Sequence, residues 1–205
     1  MKMTDRWNRV IYRLWAPIYD ATVGHIFQPG RRQALRLLDL KPGERVLLVG
    51  VGTGADLPLL PEGVEAVGLD LSPEMLARAR SRLPLPGRPV ALIRGDAQAP
   101  LVESGSFDAV ILNLILSVIP DGRAGLHSAL RALKPGGRAV IFDKFAPANR
   151  KLSFLRRILN WFSTLLGTDI TRRFGDLLGG SPWRIVCDEP GLFHGNYRVI
   201  RLENR

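Results

Sequence analysis

The stretch Arg45-Val-Leu-Leu-Val-Gly-Val-Gly-Thr-Gly-Ala-Asp56 decides how this chain is read. The apolar run Val46 to Val49 breaks into glycines at Gly50, Gly52 and Gly54, with Thr53 between the last two. A strand that enters a turn without Cβ atoms lets a ligand approach the backbone closely. Asp70 stands 20 residues after Gly50, at the end of a second apolar run, Val64 to Leu69. That spacing puts a carboxylate beside the glycine turn, where it can accept hydrogen bonds from ribose hydroxyls. Glycine turns also occur in ordinary strand-turn-helix connections. The weight of the reading therefore rests on the acid and on the strands that follow.

Outward from the turn, the chain alternates between two periodicities. Strands are expected at 45–49, 64–69, 90–94, 107–112 and 137–142, and helical stretches around 55–60, 73–82 and 121–133. Ser72 caps the second of these helices, with Pro73 and Glu74 in its first turn. Lys134-Pro-Gly-Gly137 is expected to stop the third before the fifth strand. Such alternation implies an α/β fold: right-handed crossovers, a mostly parallel sheet and helices on both faces. Two further strands, Trp183 to Val186 and Tyr197 to Leu202, share a short connection that favours an antiparallel pair.

Two chemistries fit the glycine turn. Gly50-x-Gly52-x-x-Ala55 satisfies the dinucleotide pattern, so a nicotinamide enzyme is one option. Gly54 makes the tighter Gly-x-Gly-x-Gly form, and later residues favour a different nucleoside ligand. Asp96 closes the third strand, where it suits the exocyclic amine of adenine. Asn113 closes the fourth, at the carboxyl edge where open α/β sheets hold ligands.

The chain has 205 residues, 46% of them hydrophobic, which suits one globular domain with a sizeable core. A single cysteine, Cys187, excludes an intrachain disulfide and suits a reducing compartment. No signal peptide is read in Met1 to Trp15. The longest mostly apolar run, Val110 to Ile119, is too short to span a bilayer. The formal charge of +10 is unevenly placed: residues 1–45 carry net +5, residues 46–143 net −1, and residues 144–184 net +6. Two basic segments thus frame a near-neutral middle and point to an anionic partner.

Those segments are also amphipathic. Trp7, Val10, Ile11, Leu14, Trp15 and Ile18 make one helical stripe, with Arg6, Arg9 and Arg13 off it. Leu155, Ile158, Leu159, Phe162, Leu165 and Leu166 make another, interleaved with Lys151, Arg156 and Arg157. Each stripe can pack on a core or lie in a headgroup layer. Nucleic acid is not the expected partner, because a nucleic-acid groove presents stacking aromatics without such stripes. A helix is expected to begin after Pro29, with N–H groups and Arg31 and Arg32 at its first turn as an anion site.

Five segments in order, Val46–Gly54, Gly68–Met75–Leu76, Gly95–Ala97, Ser106–Val110 and Leu133–Gly137, resemble the motifs of class I S-adenosylmethionine-dependent methyltransferases. The resemblance covers roughly residues 40–145. It implies a Rossmann-like seven-stranded sheet, mostly parallel with the last strand antiparallel. It also implies the cofactor S-adenosyl-L-methionine, its methionine part over Gly50, Gly52, Thr53 and Gly54, with Asp70 at the ribose. Asp96 and Ala97 would border the adenine and Asn113 and Leu114 the sulfonium, with Leu71 and Met75 as further cofactor-binding residues. One departure is Leu48, where the family often has an acid, so ammonium recognition is expected to lean on backbone groups.

The flanking segments Tyr12-x-x-x-Ala16-Pro-x-Tyr19-Asp20, Phe27-Gln-Pro-Gly-Arg-Arg32 and Gly167–Phe174 resemble the bacterial phosphatidylethanolamine N-methyltransferases, relatives of quinone C-methyltransferases. The implied organisation is one domain, 1–205: lid helices 1–40, cofactor core 41–145, a basic helical insertion 146–182 and a strand pair 183–205. The implied partner is an anionic membrane surface with its phospholipid, met by residues 4–18 and 150–174, at the inner face of the cell membrane. A quinone precursor or another lipophilic small molecule is the alternative acceptor. Tyr19 and His194 are the catalytic candidates. Arg31, Arg32, Arg172 and Arg173 are the candidates for the lipid phosphate. His25 is a further residue that can face the site, while His127 reads as structural. The three histidines lack metal-ligand spacing, so no metal is expected, and no obligate protein partner is implied.

Overall fold

The computed structural model describes residues 25–99, 102–146, 169–193 and 195–204. The two amphipathic stripes, Tyr19 and His194 lie outside these residues. Helix α1 occupies 25–38. After it come β1 (Arg45–Val49), a one-turn 3-10 helix (Leu57–Leu59), β2 (Glu65–Asp70), α2 (Pro73–Arg80), β3 (Val90–Arg94) and β4 (Phe107–Asn113). The chain continues with α3 (Gly122–Arg131), β5 (Leu133–Lys144), a short α4 (Phe174–Leu178), β6 (Arg184–Pro190) and β7 (Tyr197–Glu203). The seven strands lie in the order β3-β2-β1-β4-β5-β7-β6. The first five are parallel, and β7 inserts antiparallel between β5 and β6.

Side-chain alternation along each strand divides the core into two layers. On β1, Leu47 and Val49 face the layer built with Leu126 and Leu130 of α3 and Phe174 of α4. Val46 and Leu48 face the opposite layer, with Ala34 and Leu38 of α1 and Leu76 and Ala79 of α2. The inner parallel strands β1, β2, β4 and β5 are thus buried on both faces, as their near-continuous apolar runs require, while the edge strand β3 is partly exposed. Ser72 caps α2 by accepting from the Met75 N–H at 3.2 Å, and Asp121 caps α3 by accepting from the Ala124 N–H at 2.9 Å.

Three expectations change. The helix at 55–60 is a 3-10 turn of three residues, because the chain must close the glycine turn and re-enter the sheet. Strand β5 starts at Leu133, so Lys134-Pro-Gly-Gly137 forms an irregularity inside the strand: Phe107 pairs with Leu133, and the register shifts before Ala109 pairs with Arg138. Helix α1 is already formed at residue 25, and Pro29 lies within it. Proline removes one ladder bond, but Phe27 in the preceding turn packs against Phe142 and Tyr197, with centroids 6.2 and 5.0 Å away. The expected anion site at residues 30–32 is therefore not a helix N-terminus. The other end of α1 is tied down by arginines: Arg138 donates to the carbonyls of Leu38 and Asp39, and Arg201 to that of Leu37. Among the described residues no helix is long and apolar enough to cross a membrane.

Candidate active site

The carboxyl ends of β1, β2, β3 and β4 border one cleft, at the point where the strand order reverses. It encloses about 960 Å³, its open mouth included. Gly50, Gly52 and Thr53 form its floor after β1. Asp70, Leu71 and Met75 come from the end of β2 and from α2, Asp96 and Ala97 from the end of β3, and Asn113 and Leu114 from the end of β4. Apolar Ile115, Val118 and Ile119 complete the wall.

The glycine turn is required by contact as well as conformation. Gly50 has φ +69°, and a Cβ there would stand 2.5 Å from Cδ1 of Ile115. Gly54, expected at the cofactor, does not line the cleft. A Cβ on it would meet Leu57 at 3.0 Å and Ala79 at 3.1 Å, so this glycine lets the turn pack on α2. Leu114 has φ +59°, uncommon outside glycine, and is held there by its N–H donating to the Phe142 carbonyl at 2.7 Å.

Asp70 fastens the turn. Its Oδ2 accepts from the Gly52 N–H at 2.8 Å and its Oδ1 from the Ser72 N–H at 2.9 Å. Burial raises its carboxyl above the usual value, against the lowering effect of these N–H groups. Asp96 accepts from the backbone N–H and the side-chain Nε2 of Gln98, both on Oδ1 at 2.9 Å, so Oδ2 takes part in neither bond. Gln98 in turn accepts from the Asp121 N–H at 2.8 Å, which joins the end of β3 to the start of α3.

The phosphate candidates are not equivalent. Arg31 is buried, lines the cleft and donates from Nη1 to Oδ2 of Asp56 at 2.5 Å. Arg32 is exposed on α1. Arg172 is corrected to a structural role. Its fork donates to the carbonyls of Leu116, Ile119 (2.7 Å) and Pro120 (2.8 Å), so it pins the segment that carries Val118 and Ile119 into the cleft. Arg173 is the residue before α4 and is half-buried. His25 is exposed at the first described turn of α1, and Nε2 of His127 lies 3.1 Å from the Leu177 carbonyl, joining α3 to α4. Among the described residues no cluster of His, Cys, Asp and Glu has the makings of a metal site.

Two features escaped the sequence reading. Asp56 lies inside the opening stretch, yet nothing local marks its partners. Phe27, Phe193 and Tyr197 meet at the carboxyl end of β5, with Lys144 Nζ 6.0 Å from the Tyr197 ring centroid. Burial lowers the Lys144 amine from its ordinary value, although Asp143 and Asp169 oppose the shift. Only tertiary contact assembles these residues.

Residues 47–141 match the family described as a methyltransferase domain. A phosphatidylethanolamine N-methyltransferase of Cereibacter sphaeroides is 36% identical over 196 residues, 95% of this chain and 96% of that protein. The chain belongs to the S-adenosylmethionine-dependent methyltransferases. A demethylmenaquinone methyltransferase of Beutenbergia cavernae is 38% identical, over 57% of this chain and 48% of its own length. Solved structures agree on the fold. An S-adenosylmethionine-dependent methyltransferase of Thermotoga maritima superposes with TM-score 0.70 at 22% identity, covering 97% of this chain and 100% of its own. A chain from the complex of a methyltransferase with the Haloferax volcanii Trm112 activator gives 0.76 at 16% identity, covering 94% and 96%.

The nicotinamide alternative is thereby set aside, and S-adenosylmethionine is the cofactor of this methyltransferase. The residues present fit that group. The floor is bare backbone, an acid stands beside it at ribose distance in the chain, and the wall carries a buried acceptor, Asn113 Oδ1, that has no partner.

Proposed function

We propose that this methyltransferase acts on the ethanolamine headgroup of a phospholipid, methylating phosphatidylethanolamine stepwise toward phosphatidylcholine at an anionic membrane surface. The observation that carries the reading is the extent of the likeness to the Cereibacter sphaeroides enzyme. At 95% of the chain it reaches into both basic flanks. The match to the menaquinone enzyme, by contrast, spans about half of that protein. In this reading residues 4–18 and 150–168 lie on the cytoplasmic face of the membrane, Arg172 and Phe174 being turned inward, and Arg32 and Arg173 meet the lipid phosphate.

When bound, the cofactor supplies an electrophilic methyl group on a sulfonium. Asp70 would accept from the ribose hydroxyls, and Asp96 from the adenine amine. Leu114, Ile115, Val118 and Ile119 keep water from the reacting atoms. The headgroup nitrogen is an ammonium in water and must lose a proton before it attacks. We assign the orientation of that proton to the Tyr19 hydroxyl, with the ring available to hold the growing methylammonium.

The test supplies methyl-labelled S-adenosylmethionine with mixed vesicles and with a demethylated quinone precursor, then separates the lipids. Label in monomethyl-, dimethyl- and trimethyl-ethanolamine lipids is the expected result. Label in the quinone product and none in ethanolamine lipids overturns the reading.

A further inference from the structure

Outside the cofactor cleft, at the end of β5, stands an amine with no acceptor. Lys144 is half-buried, and among the described residues its Nζ makes no hydrogen bond or ion pair. The two acids nearest it are engaged elsewhere. Asp143 accepts from the N–H groups of Ser117 and of Lys144 itself, at 2.9 and 2.8 Å. Asp169 accepts from the Thr171 N–H and hydroxyl, at 2.8 and 2.7 Å. The amine lies instead over the Tyr197 ring, 6.0 Å from its centroid. An ammonium carries three donors and no acceptor. Burial already works against its charge, so an anion arriving here meets unused donors and restores the charged form.

The surroundings say which anion. Lys144 lies two residues beyond Phe142 on the same face of β5, and the Phe142 carbonyl accepts from the N–H of Leu114, which lines the cleft. The lysine therefore stands roughly 7 Å further along the strand than that contact with the cleft wall. Strands β6 and β7 meet at the same edge, where the loop between Pro190 and Tyr197 carries Phe193. Phe193 is 52% exposed and has φ +54°, a left-handed conformation that bulky residues rarely adopt. Its ring meets those of Phe27 and Tyr197, with centroids 6.4 and 5.7 Å away. Ile26, beside Phe27 on α1, is also 52% exposed. The backbone thus holds an aromatic ring out toward solvent at a cost. An inner cation beneath an exposed apolar rim complements a phosphate that carries an apolar chain, whereas a free phosphate has no use for the rim.

We propose that Lys144 binds the phosphodiester of the acceptor lipid and that Phe193 and Ile26 receive the start of its acyl chains. The proposal rests on the phospholipid reading of the acceptor. An ethylene bridge ties the ethanolamine nitrogen to its phosphate, so a phosphate fixed at the end of β5 keeps the nitrogen near the cleft wall at the end of β4. Lys144 joins Arg32 and Arg173 in that role from beneath the aromatic rim.

Calorimetry on the full chain tests it with monomeric dihexanoyl phosphatidylethanolamine and, separately, inorganic phosphate. Lys144→Met should weaken the lipid by about tenfold or more, the loss expected for a charge-assisted hydrogen bond, and Lys144→Arg should recover most of it. Phe193→Ser should weaken the lipid by about threefold or more and leave inorganic phosphate as it was. All three variants should bind S-adenosylhomocysteine within about twofold of the parent. Unchanged lipid affinity in Lys144→Met overturns the proposal. So does an equal loss of S-adenosylhomocysteine, because Lys144 would then be scaffolding. Inorganic phosphate bound as tightly as the lipid, with Phe193→Ser without effect, overturns the lipid as occupant. The acceptor reading fails separately: if lipid binding needs Lys144 but labelled methyl appears only in the quinone product, the lipid seat stands and the acceptor does not. Methylation of ethanolamine lipids by Lys144→Met at the parent's KM refutes the seat alone.

Discussion

Replacing Gly30 with alanine tests how α1 is seated over the sheet. The new Cβ would fall 2.2 Å from Cζ of Phe142 and 2.4 and 2.8 Å from its two Cε atoms. Phe142 is fully buried, and its ring is flanked by Phe27 and Tyr197, so it has little room to swing away. Overpacking of this kind costs ~1–3 kcal/mol, and an overlap this deep belongs near the top of that range. Alanine returns roughly 0.5–1 kcal/mol of helix propensity. The net loss is about 2 kcal/mol, which for a chain of this length lowers Tm by roughly 4–8 °C. Thermal and urea denaturation measure it. Phe142→Leu removes the Cε and Cζ atoms, so Gly30→Ala should cost little in that background, with a coupling energy of about 1.5–2 kcal/mol from the double-mutant cycle. If Gly30→Ala is as stable as the parent, or loses as much in the Phe142→Leu background, α1 does not rest on this ring. Arg31 is the next residue, so S-adenosylhomocysteine affinity should fall together with stability.

Asp70→Asn sets an NH₂ group against one of the two backbone N–H groups, of Gly52 and Ser72, that the carboxylate oxygens accept from. It should weaken S-adenosylhomocysteine and methylthioadenosine alike, by about tenfold or more, and calorimetry that finds either ligand unaffected refutes the ribose assignment. Arg138→Gln removes a guanidinium that bonds both oxygens of Glu44 and two carbonyls at the end of α1, and should cost about 2 kcal/mol. Glu44 is held below its usual value of 4.5, chiefly by Arg138. Its contribution is therefore present above that value and lost as pH falls through the lowered folded one. The stability gap between parent and variant should shrink in acid, and a gap that stays constant from roughly pH 7 to 3 rules out the Glu44 contribution.

Much of the site was legible because its signals are local. The glycine turn, the acid ending β2, the Ser72 cap and the residues closing β3 and β4 each follow from a run, a break and a spacing. Strand periodicity then brings those ends to one edge, since parallel strands joined by right-handed crossovers present their carboxyl ends together. The errors were also local in origin. Pro29 reads as a helix start, but the packing of half-buried Phe27 on Phe142 and Tyr197 outweighs one missing ladder bond. Gly54 reads as part of the cradle, but α2 approaches it from the other side. Arg172 reads as a free cation, but three carbonyls of a bent segment claim its fork.

By itself, then, the sequence determined the layered sheet, the glycine floor and the carboxylate beside it, because neighbours along the chain write those features. Only the tertiary structure decided the polar wall of the cleft, where Arg31 and Asn113 both donate to Asp56. Arg31 and Asn113 stand 25 and 57 positions from Asp56, and no periodicity or spacing rule links them. Their meeting depends on α1 lying against Phe142 through Gly30, and on β4 pairing directly with β1. Those are facts of packing and sheet order, in which the free energy of burying one side chain depends on residues far away in the chain.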